Sequence, residues 1–142
     1  MIKFKLVTLG GVKFDEDVSE VILPTLDGYI GVLTNHMPLV SVATTGIISV
    51  RKNSNDPDDF MEHFASNGGV IEVSNNVLSV LVDEADHADD ISEQEAQAAL
   101  ERAKKLKSEA KDEISLEKAQ SLIDRSAVRI QVAGLKRRKQ RR

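Results

Sequence analysis

The side chains of this chain that could move protons or bind a metal ion include three histidines, His36, His63 and His87. His36 lies in the stretch DGYIGVLTNHMPLVS, where Asp27 and Ser41 complete the residue types of a hydrolytic triad. The sequence lacks the G-x-S-x-G motif that places a nucleophilic serine in a sharp turn between strand and helix. A triad is therefore disfavoured. Two other roles stay open for His36: a metal ligand, or a residue of a turn on which a partner docks.

The other two histidines have interpretations that need no catalysis. His87 lies in DEADHADD, where five of the seven residues around it are acidic. A hard cation would accept such carboxylates, but the spacing of an EF-hand loop is absent. We interpret the stretch as a solvated acidic linker whose negative charge favours the positive N-terminus of a following helix. His63 alternates within a predicted strand and is expected on one side of a hairpin.

Motifs for cofactor or phosphate chemistry are missing from the sequence. No phosphate-binding loop, Gly-rich dinucleotide turn or HExxH occurs. The chain also has no cysteine, which excludes disulfides, thiolate metal sites and cysteine nucleophiles. We therefore expect no catalytic residue, no metal site and no cofactor, and a protein that is not an enzyme.

Length and hydropathy limit the architecture. A chain of 142 residues supports one domain, or one compact domain with a small appendage. No run approaches the roughly 18 apolar residues of a membrane-spanning helix. The alternating start MIKFKLVTLGG lacks the apolar segment of a signal peptide. We expect a soluble protein that is not exported.

The net charge of −4 hides a strong asymmetry along the chain. Residues 1–92 hold 15 acidic and 5 basic residues, a net charge of −10, whereas residues 93–142 hold 8 and 14, a net charge of +6. The end, LKRRKQRR, has six basic residues in its last seven. Such a tail is either solvated or binds nucleic acid, an anionic membrane surface or an acidic protein loop. Because no aromatic residue lies near it, base stacking on single strands is disfavoured.

The N-terminal part predicts short strands separated by turns. IKFKLVT alternates, with Ile2, Phe4 and Leu6 on one face. A polar stretch, RKNSNDPDD, separates GIISV from FMEHFAS, and SNN separates GGVIEV from VLSVLV, which indicates two hairpins. We predict about eight to ten short strands before residue 84, typical of a β-sandwich or flattened barrel.

The C-terminal part predicts helix. Residues 93–133 contain no Gly or Pro, and Ser92 with Glu95 forms a capping box that starts a helix at residue 93. KDEIS marks a weak turn, and Gly134 a C-terminal stop. We expect an α+β protein in which an antiparallel two-helix hairpin, extendable to one helix of roughly 60 Å, follows the sandwich. The apolar stripes at helical spacing are Ala96, Ala99, Leu100, Ala103 and Leu106, then Leu116, Ala119, Leu122, Ile123, Ile130 and Ala133.

Two stretches, DGYIGVLTNHMPLVSVATTG and SNGGVIEVSNNVLSVLVDEAD, precede the Ala-rich helices at a characteristic distance. In order and spacing, the whole chain resembles the epsilon subunit of bacterial F-type ATP synthases, called delta in mitochondria. The resemblance implies a β-sandwich domain at residues 1–88 that binds the gamma subunit and the ring of c subunits. It implies a regulatory helical hairpin with a basic tail at residues 89–142.

The role implied by the resemblance is that of a non-catalytic rotor part. Such a subunit couples proton-driven rotation to ATP synthesis, and its C-terminal helices inhibit ATP hydrolysis. It lies at the cytoplasmic face of the bacterial membrane, which it meets only through the complex. No nucleic acid is among the implied partners.

By the same resemblance, the turn around His36 faces the polar loops of the c ring, so His36 docks and does not catalyse. The family often has Pro-Gly before the histidine, where this chain has Thr34 and Asn35. Asparagine tolerates positive φ, so the turn can still form. Tyr29 stands where some relatives carry an acid. The implied interface residues for the gamma subunit and the c ring are Tyr29, Thr34, Asn35, His36 and Met37.

A second implied contact joins basic residues of the C-terminal part to the alpha and beta catalytic subunits. In an extended state of the helices, these residues would meet an acidic loop of the beta subunit and inhibit hydrolysis. They are Arg125, Arg129, Lys136, Arg137, Arg138 and Lys139.

Some bacterial relatives bind ATP through Ile/Leu-Asp-x-x-Arg-Ala at the start of the first helix, aided by two arginines on the second. Here residues 91–96 read ISEQEA, and Arg125 and Arg129 are retained. Ser92 can still cap the helix, but Glu95 places a negative charge where the family pattern has a positive one. Polyphosphate is itself negative. We therefore expect no useful ATP binding by the isolated chain.

The main alternative is a free-standing β-sandwich module that binds carbohydrate or peptide and dimerises through its helices. Such modules display aromatic platforms, whereas this chain has one Tyr and no Trp. A metal-dependent hydrolase is the enzyme alternative, and it would lose activity in chelator. Co-purification distinguishes the rotor subunit from the free-standing module, because a rotor subunit co-purifies with gamma and a module co-purifies with its ligand.

Overall fold

The computed structural model describes residues 1–140, with side chains as far as Lys136. Within this part of the chain, eight strands precede two helices, and the predicted α+β class is confirmed. The strands are β1 (Ile2–Thr8), β2 (Gly11–Val18), β3 (Glu20–Thr25), β4 (Gly28–Leu33), β5 (Leu39–Ala43), β6 (Gly46–Arg51), β7 (Glu62–Ser74) and β8 (Val77–His87). The helices are α1 (Glu93–Glu109) and α2 (Glu113–Gln140). Short 3-10 helices lie at Asp58–Phe60 and Ala88–Asp90.

The strands pair in the order β2-β1-β8-β7-β5-β3-β4, and β6 pairs with both β3 and β7. Every pair is antiparallel except β1 with β8, where the first and last strands run parallel. One edge of β7 has two partners in succession: residues 62–66 pair with β6, and residues 69–73 pair with β5. The strand is therefore shared by two sets of neighbours, and the sheet encloses one core.

Both predicted hairpins are present, and the eight strands lie at the lower end of the predicted number because β7 is longer than expected. It runs for 13 residues through Gly68 and Gly69, so FMEHFAS and GGVIEV, which were assigned to separate hairpins, lie largely in one strand. A Cβ on Gly69 would lie 1.9 Å from the Leu81 carbonyl oxygen, so glycine is needed there for close approach of β7 and β8. The turn comes later, at Asn75 and Asn76, whose φ angles of 52° and 61° suit a tight hairpin.

The core lies inside the strands and follows their alternation. Ile2, Phe4 and Leu6 of β1 are fully buried, as predicted. Phe14 packs against Phe4 with ring centroids 5.4 Å apart, and edge-on against Phe64 at 6.0 Å. Burial of each large apolar side chain contributes about 1.5–3 kcal/mol to stability. The other core residues are Val18, Val21, Leu23, Val32, Ala43, Ile48, Val50, Ile71, Val73, Leu78, Val80, Val82 and Ala85.

The helices form the predicted hairpin. The Ser92 hydroxyl accepts a hydrogen bond from the Glu95 amide at 3.2 Å, so α1 begins where the capping box placed it. Among the described residues, the Ser92 amide does not donate the reciprocal hydrogen bond of a capping box to the Glu95 carboxylate. At the start of α2, Asp112 Oδ1 accepts from the Ser115 amide at 2.7 Å. That bond holds the pKa of Asp112 below its usual value.

The predicted stop at Gly134 is wrong, because α2 continues through it to Gln140. Glycine weakens a helix interior by about 0.5–1 kcal/mol relative to alanine, which neighbouring packing can offset. Val132 and Ala133 are buried directly before it. The predicted apolar stripes are partly buried, since Ala96, Ala103, Ala119 and Ala133 are buried whereas Leu106, Leu116 and Leu122 are exposed.

Candidate functional site

The turn that follows β4 presents the predicted docking residues. Asn35 adopts the expected positive φ of 59°, and the His36 amide donates to the Leu33 carbonyl oxygen at 3.1 Å. This geometry closes a tight turn. Thr34, Asn35 and Met37 are exposed, and Met37 keeps 72% of its surface in solvent. The turn therefore offers polar groups and one large apolar side chain to a partner.

Two other chain segments hold this turn in place. Asn76, in the turn between β7 and β8, accepts from the Asn35 amide at 2.8 Å and donates to the Met1 carbonyl oxygen at 2.8 Å. The 34–37 turn, the 75–76 turn and the N-terminus therefore meet at one end of the sandwich. Asn76 joins all three.

The imidazole of His36 contacts the neighbouring backbone and is not part of a triad. Its Nδ1 lies 2.7 Å from the Met37 carbonyl oxygen, a contact that requires a proton on Nδ1. Asp27 is in the turn before β4, at the far end of that strand, where its amide donates to Thr25. The three residue types of the rejected triad are therefore not assembled.

Tyr29 lies apart from the other predicted interface residues. It is the second residue of β4, opposite Pro24, and it lies five positions before Thr34, or roughly 16 Å along an extended strand. Its hydroxyl accepts from the Ile47 amide at 3.1 Å. The Pro24 carbonyl oxygen accepts from the Thr44 amide at 3.1 Å. Tyr29 supports the start of β6 and is not brought together with the 34–37 turn.

An exposed apolar row crosses the outer face of four strands. Val42, Val70 and Leu81 lie side by side on β5, β7 and β8, and Val7 of β1 extends the row. The first three keep about half of their surface in solvent, at 51%, 48% and 56%. We call these four residues the apolar row. The sequence indicates part of the row through VLSVLV. Leu78, Val80 and Val82 face the core, so Leu81 must lie on the opposite face, where an exposed leucine indicates contact with a partner.

A small apolar cluster joins α2 to the sandwich. It consists of Ala65, Ala88, Ile91, Val132 and Ala133, with Ile47 and Val128 packed against it. Three of its five buried members are alanines, which bury little apolar area. The hydrophobic contribution to docking of the helices is therefore modest.

Arg125 of α2 contacts a buried asparagine. Asn67 of β7 is only 6% exposed, and its amide oxygen accepts from Arg125 Nε and from Arg125 Nη2 at 3.0 Å. The nitrogen of the same amide donates to the Thr45 hydroxyl at 3.0 Å. Asn67 thus links the β5–β6 connection to α2.

Arg129, one helical turn later, forms an ion pair with Asp86 of β8. Both side chains are about one-third exposed. Farther along α2, Lys136 Nζ lies 3.5 Å from the Asp89 carbonyl oxygen and 3.9 Å from its carboxylate. Three of the predicted inhibitory residues are therefore engaged in the docked hairpin: Arg125 and Arg129 contact strands of the sandwich, and Lys136 contacts Asp89 directly after β8. The other three, Arg137, Arg138 and Lys139, have side chains outside the described part.

The interpretation of residues 83–90 as a linker is wrong, although four of the five acidic residues in this stretch are exposed to solvent. β8 continues to His87, and two of the acids pair with cations of α2 as above. His87 Nδ1 accepts from the Asp89 amide at 3.0 Å, and its ring packs edge-on against Phe64. His63 Nδ1 lies 2.8 Å from the Ser49 hydroxyl. Among the described residues there is no cluster of three or more His, Asp and Glu suited to a metal ion.

A cleft between α1, α2 and β8 contains the predicted ATP-motif positions. Arg102, Arg125 and Arg129 line it together with Glu84 and Glu95. The two carboxylates oppose the binding of a polyphosphate at the arginines. The sequence pattern indicated Glu95 and the arginine pair, but it gave no sign of Glu84, Asn67 and Asp86.

Within residues 1–140, neither helix combines the length and the apolar character that a membrane span requires.

Two family models match the chain. One, described as "ATP synthase, Delta/Epsilon chain, beta-sandwich domain", matches residues 1–88. The other, "ATP synthase, Delta/Epsilon chain, long alpha-helix domain", matches residues 89–134. Among curated proteins, the ATP synthase epsilon chain of Lactobacillus delbrueckii subsp. bulgaricus is 36% identical over 137 residues, covering 94% of this chain and 93% of that protein. The epsilon chain of Gloeobacter violaceus is 35% identical over 133 residues, covering 94% and 97%.

Solved structures share the fold. A chain in the cryo-EM structure of Euglena gracilis mitochondrial ATP synthase (OSCP/F1/c-ring, rotational state 1) aligns with a TM-score of 0.77 at 22% identity, covering 93% of this chain and 80% of that one. A chain of the Tetrahymena thermophila mitochondrial ATP synthase central stalk and c-ring aligns at 0.50 and 17% identity, covering 62% and 67%. The family matches span both parts of the chain, and the bacterial relatives are matched almost end to end. The chain belongs to the delta/epsilon chain family of the ATP synthases, as a bacterial-type epsilon chain.

Proposed function

We propose that this epsilon chain is a non-catalytic rotor subunit in the central stalk of an F-type ATP synthase. In this role it joins the gamma subunit to the c ring, so that proton-driven rotation is coupled to ATP synthesis. It has no active site of its own. It lies at the cytoplasmic face of a bacterial membrane, attached through the complex and not by its own insertion.

The observation that carries the proposal is the apolar row on the sandwich. A contiguous exposed apolar patch marks a candidate interface, because its exposure to water is unfavourable. Lys5 and Glu72 flank the row and supply the polar rim that interfaces commonly have. We assign this face to the gamma subunit. The separate 34–37 turn, with its polar groups, is assigned to the polar loops of the c ring.

We extend the proposal to inhibition of ATP hydrolysis by the helices. The helical hairpin docks through a small apolar cluster and a few polar contacts, so a released state is accessible at modest free energy. In the released state, the basic residues of α2 and the tail would meet an acidic surface of the alpha and beta subunits. Association of this kind weakens with salt.

The rotor role is tested by ATP synthesis in membranes of a strain that lacks its own epsilon gene. The chain should restore synthesis. A Val70→Ser, Leu81→Ser variant should fail, because it removes the centre of the apolar row. The matched control is Leu9→Ser, Val12→Ser, which changes two residues that are 90% and 62% exposed outside the row. Equal restoration by both double variants would refute the assignment of this face.

The inhibitory role is tested by ATP hydrolysis of the reconstituted enzyme. Arg137→Ala, Arg138→Ala should raise hydrolysis, because it removes two of the cations proposed to contact the catalytic subunits. Lys13→Ala, Lys111→Ala removes the same charge elsewhere and should leave the rate unchanged. A basic-tail mechanism is excluded when both double variants hydrolyse ATP at the wild-type rate.

A further inference from the structure

Two arginines of α2 are held by polar residues of the sandwich. Arg125 and Arg129 are one helical turn apart, and they contact neighbouring strands, β7 through Asn67 and β8 through Asp86. Asn67 is itself fixed by its bond to Thr45 and by burial, so it cannot follow the helix when α2 moves away. The partners of both guanidinium groups are therefore rigid parts of the sandwich.

These polar contacts supplement a small apolar interface in helix docking. Within the described part of α2, Val132 and Ala133 are its buried members of the apolar cluster on the sandwich. Few apolar atoms leave water there, compared with the main core of the sandwich. A guanidinium group left without its acceptor also loses a charge-assisted hydrogen bond.

We propose that Asp86 and Asn67 keep the helices docked on the sandwich by binding the two arginines that the inhibitory state uses. We call Asp86, Asn67, Arg125 and Arg129 the latch. Docking and inhibition then compete for the same two guanidinium groups, because neither group can serve both partners at once. Any change that weakens the sandwich side of the latch shifts the population toward release. Its consequence for hydrolysis rests on the inhibitory role proposed above, whereas the latch itself is a property of the isolated chain.

The latch predicts opposite effects for its two sides. Asp86→Asn frees the helices and leaves Arg129 charged, so inhibition should increase. Arg129→Gln also frees the helices but removes a cation needed by the inhibitory state, so inhibition should not increase. Simple destabilisation of the protein would move both variants in the same direction.

The test of the latch is energy transfer between two dyes on the full chain in solution. The chain has no cysteine, so Ser54→Cys and Ser108→Cys give two unique labelling sites. Both serines are exposed, one on the β6–β7 connection and one near the end of α1. Val132→Asp, which places a charge at a fully buried position, supplies the reference signal for released helices.

Asp86→Asn should raise the ratio of released to docked chains about two- to fivefold at low salt, the size expected for a partly exposed ion pair. Added salt should raise the ratio in the wild type and have a smaller effect in the variant. Asp83→Asn removes the same charge from an exposed position of β8 that has no ion pair among the described residues, and it should behave like the wild type. Equal ratios for Asp86→Asn and Asp83→Asn would overturn the latch.

Hydrolysis by the reconstituted enzyme then separates the latch from the inhibitory role. Support for both requires that Asp86→Asn lowers hydrolysis while Arg129→Gln does not. A shift in energy transfer by Asp86→Asn without a fall in hydrolysis would refute inhibition by the released helices and leave the latch standing. An unchanged transfer signal refutes the latch whatever the hydrolysis rate.

Discussion

The isolated chain is expected to bind ATP too weakly for regulation, and Glu95 is the main reason. This residue lines the cleft between α1, α2 and β8, beside Arg102, Arg125 and Arg129. The corresponding position of the ATP-binding family pattern carries arginine. Exchanging a positive for a negative group removes a charge-assisted hydrogen bond and adds repulsion, which together cost about 2 kcal/mol.

The structure adds a second cost to ATP binding. Arg129 is paired with Asp86, and a phosphate would have to displace or share that carboxylate. Because both side chains are about one-third exposed, solvent screening limits this contribution to about 0.5–1 kcal/mol. The total of about 3 kcal/mol corresponds to a loss of affinity somewhat over a hundredfold.

Calorimetric titration of the purified chain with Mg-ATP measures this directly. We expect no saturable binding in the micromolar range. Glu95→Arg should strengthen binding at least tenfold relative to the wild type, and Glu95→Gln, which removes only the charge, should fall between them. Saturable micromolar binding by the unmodified chain would refute the reasoning, as would equal heats for all three proteins.

Three further results are expected. Gly69→Ala should lower the free energy of unfolding in urea by about 3 kcal/mol or more, because its Cβ would strike the backbone of β8, while Gly68→Ala, whose nearest neighbour is 3.6 Å from the added carbon, should have a far smaller effect. The Asp112 cap has a lowered pKa, so its contribution to α2 is full above the ordinary value of 3.8 and is lost as pH falls through the lowered pKa. The protection of the Ser115 amide against hydrogen exchange, relative to the intrinsic rate at the same pH, should therefore fall at low pH, and Asp112→Asn should remove that dependence. A chain ending at Ala88 should fold alone and still support ATP synthesis in a strain that lacks the subunit, and an unfolded or inactive product would contradict the independence of the sandwich.

Features that depend on neighbours in sequence were predictable. The alternation in β1 identified Ile2, Phe4 and Leu6 as core, because side-chain direction in a strand is set by the local backbone. Ser92 located the start of α1 for the same reason, since a cap acts within one turn. Asn35 took the positive φ that its residue type allows.

Features that depend on distant parts of the chain were misjudged. Asp86 was predicted to be solvated, because its partner, Arg129, is 43 residues away and no local sequence pattern indicates the pair. FMEHFAS and GGVIEV were assigned to separate hairpins, whereas both belong largely to β7, and Gly69 is required there by the close approach of β8, which comes later in the sequence. Gly134 read as a helix end, although packing of the residues before it keeps α2 intact.

The candidate site was predictable in part for the same physical reason. The 34–37 turn is one short segment, so its residues necessarily stay together. Tyr29 belongs to the same stretch of sequence, but the extended strand between them carries it to the other end of β4. The apolar row draws one residue from each of four strands, so the VLSVLV pattern can indicate Leu81 alone, and the strand register is needed to place the other three residues beside it.

Co-purification of the gamma subunit with the tagged full-length chain tests whether the apolar row is the rotor interface. The wild-type chain should retain gamma through washing. Val70→Ser, Leu81→Ser should lose gamma while keeping the wild-type urea unfolding curve. Absence of gamma from the wild-type sample, or equal retention by the folded double variant, would contradict the assignment of the apolar row as the rotor interface.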